Sequence, residues 1–195
     1  MAGPDKQFNR TETLKKAMDI FWAKGFAATS MQDLVNGMGI NRASMYQTYG
    51  NKHELYIAAI EKYTDDTLLF VKQELQDPEK PLLKLQDLLE QFVLGSIKNN
   101  MSGCLVNNAA VELGPYDKEI AKKARYFWSQ FEVTFASVLK QAISKGEISS
   151  EVNSEQFAQL INVTLQGLMV KTKSNTPRKQ LLSALDALFK LIRKL

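Results

Sequence analysis

Apolar residues recur every three or four positions along almost the whole chain, and no stretch alternates apolar and polar residues as a half-buried strand would. In residues 10–24, Leu14, Ala17, Met18, Phe21 and Trp22 share one helical face, and Gly25 ends the run. Thr29 or Ser30 then caps a short helix carrying Leu34, Val35 and Met38. Gly39 breaks that helix, Ile40 plugs the turn, and Asn41 caps a third short helix reaching about Tyr49. A fourth opens near Asn51 and runs through Leu55, Ala58, Ala59 and Leu68 to about Leu75.

The second half of the chain continues in the same register. Asp77-Pro78-Glu79-Lys80-Pro81 is a turn, after which Leu82, Leu85, Leu88, Leu89, Phe92 and Val93 mark an amphipathic helix. A loop at 99–103 leads into a short apolar helix from Cys104 to Leu113, which Gly114-Pro115 breaks. A long helix over 117–145 carries Ile120, Ala124, Phe127, Trp128, Phe131, Phe135, Val138, Leu139 and Ala142, and Gly146 ends it. Two more helices fill 154–172 and 177–194, the last with Leu181, Leu185, Leu188, Ile192 and Leu195 at spacings of three and four. The prediction is an all-α chain of about nine helices, divided into a head over 1–55 and a body over 56–195.

Composition narrows the class. Hydrophobic residues make up 45% and charged residues 24%, an ordinary globular balance. The polar segment Met1 to Lys16 lacks the apolar core of a signal peptide. The longest uncharged run, Gln156 to Val170, includes Gln, Asn and Thr and falls short of the ~20 apolar residues a membrane span needs. A cytoplasmic protein without membrane contact is expected. One cysteine, Cys104, excludes an internal disulfide, and one His beside it leaves no clustered zinc motif to write. No metal or cofactor is expected. The sequence pI of about 9.0 suits a polyanion partner, but the charge is unevenly spread. Residues 1–55 carry net +2, whereas residues 171–195 carry net +6 with Asp186 as their one acid. That places most of the excess away from the head, as a solvated face of the last helix or a second polyanion site.

Two helices of about seven residues joined at a glycine are too short to stand alone, and such a pair is common where a helix projects from a small bundle into a groove. The major groove of DNA admits one α-helix, whose N-terminal residues reach base edges. Asn41 to Gln47 is that segment here. The run Ser30-Met31-Gln32-Asp33-Leu34-Val35, then Met38-Gly39-Ile40-Asn41-Arg42-Ala43-Ser44-Met45-Tyr46-Gln47-Thr48-Tyr49, then Lys52 and Leu55, closely resembles the TetR family of transcriptional regulators. Specific likeness covers about Arg10 to Leu55; beyond it only length and helix order agree. Ala43 stands where the family often has Gly, and Thr48 where it often has His or an aromatic, so operator specificity cannot be borrowed.

The resemblance implies roles. Arg42 and Gln47 match base-reading positions: Arg suits guanine O6/N7 and Gln suits adenine N6/N7. Ser44, Tyr46, Thr48 and Lys52 match positions that touch phosphate or buttress the helix, with Ala43 and Tyr49 in the same segment. Ser30, at a helix N-terminus, meets a phosphate or simply caps the helix. His53 reads as an exposed residue of the fourth helix without a catalytic partner. The resemblance further implies an apolar effector pocket for a small apolar or electrophilic ligand. Its expected walls are Phe92, Cys104, Phe127, Trp128, Phe131 and Phe135, with Asn107, Asn108 and Glu112 as polar candidates. It also implies a homodimer through the last two helices, at Leu160, Gly167, Leu168, Leu181, Leu185, Leu188 and Ile192.

Cys104 carries two readings. At a helix N-terminus its thiolate is stabilised and reactive, and some TetR-type regulators that respond to electrophiles look similar around Ser-Gly-Cys-Leu. A free cysteine followed by Leu105 and Val106 is otherwise a small buried hydrophobe, structural or pocket-lining. The function expected is a repressor that releases a palindromic double-stranded operator on ligand binding or thiol modification. The rival is a helical protein-interaction module without DNA binding. An enzyme is disfavoured, since no phosphate loop, nucleophile–base arrangement or carboxylate pair stands out.

Overall fold

Helices form where the periodicity and the capping residues place them. The computed structural model describes residues 8–76 and 78–194; Leu195, Asp77 and the polar segment 1–7 lie outside the described residues. Among the described residues there are nine helices and no strand. They are α1 (Arg10–Lys24), α2 (Met31–Met38), α3 (Arg42–Tyr49), α4 (Lys52–Glu74), α5 (Pro81–Lys98), α6 (Leu105–Glu112), α7 (Lys118–Ser144), α8 (Ser154–Thr172) and α9 (Arg178–Ile192). Asn9, Ser30, Asn41, Asn51, Asp117 and Asn153 each accept backbone N–H groups at a helix start. Of the two residues offered for α2, Ser30 is the cap; the Thr29 hydroxyl instead donates to the Gly25 carbonyl.

Helices α1 to α3 and the start of α4 close over Phe21, Leu34, Met38, Met45 and Leu55, all essentially inaccessible to solvent. Each such side chain stabilises the head by roughly 1.5–3 kcal/mol. Gly39, at φ 71 and ψ 27, turns the chain from α2 into α3, a left-handed conformation that a side chain would strain. The head is not separate from the body. Helix α4 runs without a break across the expected 55/56 boundary: its first turns belong to the head, and it continues to pack on α5, α6 and α7.

The body is built around α7, whose 27 residues span about 40 Å. Helix α8 packs along α7, α5 lies against α7, α8 and α9, and α6 bridges α7 to α4 and α1. Phe127, Phe131 and Phe135 form a ladder with centroids 4.8 and 5.4 Å apart, joined by Tyr63 and Phe92 at 6.1 and 6.0 Å.

The expected dimer residues divide. Leu168, Leu181, Leu185 and Ile192, assigned from the sequence to a dimer interface, are buried inside the protomer, and Leu188 is half-buried. They form the inner faces of α8 and α9. Leu160 and Gly167 do point outward, on an outer stripe with Val163 and Val170. Leu191, with Ala184 and Ala187, is exposed on α9.

Candidate nucleic-acid interface

Helix α3 is anchored by two residues and free elsewhere. Met45 and Tyr49 point into the head, and Arg42, Ala43, Tyr46 and Gln47 form its outward face. The Arg42 guanidinium, Gln47 amide and Tyr46 hydroxyl have no hydrogen-bond partner within the described residues. The Asn41 side chain accepts from Ser44 N at 2.8 Å, which fixes the first turn. Free donors on an exposed first turn are what reading a base edge requires.

The other candidates are placed differently. Tyr49 is buried: its hydroxyl donates to the Arg10 carbonyl at 2.7 Å and pairs with Thr13 Oγ1, so it braces α3 against α1. Thr48 is half-buried, and its carbonyl accepts from Arg10 Nη2. Ser30 belongs to a capping box. Its Oγ accepts from Asp33 N at 3.0 Å, and the Asp33 carboxylate takes both Ser30 N and Ser30 Oγ. Asp33 also pairs with Lys24 at 2.7 Å, and that pair with the Ser30 hydrogen bonds holds its carboxyl well below the usual carboxylate range. A carboxylate therefore already occupies the N-terminus of α2, where a phosphate would otherwise be drawn. Lys52 opens α4 with its ammonium 4.4 Å from the Phe26 ring centroid, which leaves its charge available.

One base of the C-terminal segment lies near the head, whereas α9 packs on α5 and α8. Lys173 lines one surface groove with Lys15, Asp19 and Trp22 of α1 and with the loop 99–102. Trp22 Nε1 donates to the Gly103 carbonyl, and Gly103 N donates to Ser96 Oγ, which pairs with Thr172 Oγ1.

In the body, Phe92, Cys104, Phe127 and Phe131 line a small, partly open cavity with Tyr63, Thr67, Leu165, Gln166 and Met169. Its volume is about 20 Å³, room for roughly one water. Trp128, Phe135, Asn107 and Asn108 are not among its walls. Phe135 stands behind Phe131; Trp128 Nε1 donates to Asn107 Oδ1 at 3.0 Å; and Asn108 donates to the Ser102 carbonyl. Asn107 Nδ2 is buried without a partner. Of the residues that sequence reasoning missed, four sit four apart, Tyr63 with Thr67 and Leu165 with Met169, and Gln166 adjoins Leu165. That spacing marks a face, but not whether the face meets a cavity or solid core.

Cys104 is buried at the N-cap of α6, with the thiol next to Tyr63. Burial pushes its pKa up and outweighs the lowering influence of the nearby Asn107 backbone, Tyr63 hydroxyl and Val106 backbone, opposite to the lowering expected of an open helix N-terminus. Glu112, a polar candidate for the pocket, is turned away from it. Its two oxygens accept from Phe26 N and Ala27 N of the head. His53 likewise has a partner, Asp117 of α7.

A short glycine-turned helix pair offering a free polar face from a three-helix head, fused to an all-helical body with a small aromatic cavity, defines a helix-turn-helix transcriptional regulator. Residues 14–59 match the family model of bacterial regulatory proteins of the tetR family, and residues 81–188 match the tetracyclin repressor-like C-terminal domain. The chain is 30% identical over 151 residues to the uncharacterized HTH-type transcriptional regulator YezE of Bacillus subtilis, covering 76% of this chain and 77% of that protein. It is 26% identical to the HTH-type transcriptional repressor ComR of Escherichia coli, over 92% of this chain and 87% of that one. The fold superposes with a TM-score of 0.85 on the TetR family regulator CifR, a cysteine mutant complexed with 26-bp operator DNA. That match is at 24% identity and covers 96% and 98% of the two chains. The protein belongs to the TetR family of transcriptional regulators, not to an enzyme family.

Proposed function

We propose that this protein is a homodimeric repressor that binds a pseudo-palindromic operator and releases it when a small apolar molecule enters the body. The observation that carries the reading is the outward face of α3, where Arg42 in the first turn and Gln47 further along hold unspent donors and acceptors. Two-fold protein symmetry then imposes two-fold operator symmetry. The stripe Leu160, Val163, Gly167 and Val170 on α8, continued by Ala184, Ala187 and Leu191 on α9, is the face we assign to the partner protomer. Paired with its symmetry mate it completes a four-helix bundle.

The effector enters between α4, α5, α7 and α8, where Tyr63, Phe92, Phe127 and Phe131 must part to admit it. Cys104 acts there as a wall of the cavity rather than a thiolate sensor, since burial suppresses the reactive form. Release follows if the ligand favours the opened body and that body holds the recognition helices out of step with successive major grooves.

Selection from a random DNA pool tests the DNA half of this reading, with Arg42→Ala and Tyr46→Ala as controls. Recovery of two-fold sites by wild type, lost in both folded variants, is expected. Asymmetric sites alone would overturn the two-fold operator, and variants that bind as well as wild type would remove α3 from the interface; no recovered site at all would return the protein to the class of helical interaction modules. Cys104→Ser tests the thiol: operator release by N-ethylmaleimide that wild type shows and the variant lacks would restore the sensor reading.

A further inference from the structure

The head meets the body through two carboxylates that stand at either end of one short turn. Glu112 is the last residue of α6, and its Oε2 and Oε1 accept from Phe26 N at 2.9 Å and Ala27 N at 2.7 Å. Those two N–H groups belong to the turn between α1 and α2. Gly25, at φ 81, lets the carboxylate come this close: a Cβ there would stand 3.0 Å from Glu112 Oε2. Five residues further on, Asp117 caps α7 with Oδ1, accepting from Glu119 N and Ile120 N, while its Oδ2 bonds His53 Nε2 in the first turn of α4.

Both contacts converge on Phe26. Its backbone is held by Glu112, and its ring lies against His53 and Tyr56 at 6.3 and 5.1 Å, with the Lys52 ammonium above it. The two oxygens of one carboxylate taking two adjacent N–H groups fix direction as well as distance. The helices that supply the carboxylates also reach the cavity, α6 through its N-cap Cys104 and α7 through Phe127 and Phe131.

We propose that Glu112 and Asp117 are positioning residues that set the tilt of the head on the body, and with it the separation of the two recognition helices in the dimer. The operator spacing the protein accepts is then written in this joint and not in α3. The inference rests on the homodimeric operator-binding reading above. It has a scale: one base pair of added spacer displaces a half-site by about 3.4 Å and rotates it by roughly a tenth of a turn. The head also joins the body through the continuous α4 and the Trp22–Gly103 hydrogen bond, and the two carboxylates add the contacts that fix its tilt about those attachments; without them the head can follow that displacement more easily.

The conservative variants separate this from simple loss of stability. Glu112→Gln keeps size but offers one acceptor where two N–H groups point. Asp117→Asn keeps a good N-cap for α7 and removes the charge that faces His53. The experiment measures the affinity of the full-length dimer, by fluorescence anisotropy, for its selected operator and for versions with the spacer shortened or lengthened by one and two base pairs. Wild type is expected to lose at least tenfold per base pair. The double variant is expected to lose a few-fold on the native spacing and to show a penalty of threefold or less for one base pair. Should Glu112→Gln fail to fold, Asp117→Asn and His53→Gln, each alone, carry the same expectation. Variants that keep the wild-type spacing profile, whether or not they melt earlier, would overturn the proposal. Wild type that binds single half-sites with no preference for spacing would instead overturn the dimeric operator reading, and this inference with it.

Discussion

The residue at which stability and DNA binding part most cleanly is Tyr49. It lies in the recognition helix, yet its ring is buried and its hydroxyl is committed to Arg10 and Thr13. Tyr49→Phe removes the oxygen and keeps the ring. Neither partner is left orphaned: the Arg10 carbonyl still accepts from Thr13 Oγ1 at 3.1 Å, and Thr13 Oγ1 can also donate to the Asn9 carbonyl at 3.0 Å. The loss is therefore two ordinary hydrogen bonds without a desolvation penalty, about 1–2 kcal/mol. In a chain of this length that lowers the melting temperature by roughly 2–8 °C. Urea unfolding at fixed protein concentration, with an unchanged denaturant slope, reads the stability. Operator affinity of the folded variant should stay within twofold of wild type. Tyr46→Phe is the mirror experiment, since that exposed hydroxyl has no partner among the described residues: stability within about 0.5 kcal/mol of wild type, and operator affinity down by roughly tenfold if the hydroxyl meets a phosphate. Tyr49→Phe that unfolds like wild type but binds operator tenfold more weakly would refute the assignment of that hydroxyl to the interior.

Four other outcomes are expected. Arg42→Ala and Gln47→Ala should each weaken operator binding by about 1–3 kcal/mol and relax the preference at one base pair, read in competition binding. Val163→Glu on the outer stripe of α8 should shift sedimentation from dimer to monomer at micromolar concentration without loss of helicity, whereas the same charge at the inward Leu185 should prevent folding. Phe131→Ala should destabilise the body by about 3–5 kcal/mol while enlarging the cavity enough to bind an apolar dye. The Cys104 thiol, with its pKa pushed up, holds less thiolate at pH 8 than a free cysteine, so native protein should react with a disulfide reagent far more slowly than protein in urea.

Local features were legible in the sequence because local chemistry decides them. Asn41, Gly39 and Gly25 end or start helices by capping and by φ, and each does so without help from distant residues. The partners of His53 and Glu112 were not legible, since they lie 64 and 86 or fewer positions away and nothing in the composition of those segments announces them. The residues offered for the dimer face divided for a different reason, Leu160 and Gly167 lying outside and Leu168, Leu181, Leu185 and Ile192 inside the protomer. Helices α8 and α9 each carry two apolar stripes, and periodicity reports that a face is apolar without saying whether the protomer or its partner covers it. Leu168 and Leu185 lie inward, where α8 packs on α7 and α5 and α9 packs on α5 and α8, leaving Val163 and Leu191 outside. Cys104 shows the same limit in electrostatics: its place at a helix start predicts a stabilised thiolate, but the depth at which the fold sets that start decides the sign.

Space for a single water has a consequence for the effector reading proposed above. A molecule entering there would be selected by how little work it takes to swing Phe92, Phe127 and Phe131 apart and how well it fills the gap they leave. Affinity is then divided by the rarity of the open state, and every substitution that loosens the aromatic ladder raises sensitivity to many compounds at once without touching any of them. Selectivity and tightness pull against each other in this body. A broadened variant should arise by shaving a ring, and a narrowed one by adding a polar demand at a wall position such as Thr67 or Gln166. Searches for the signal against the closed form would pass over the compounds that open it best.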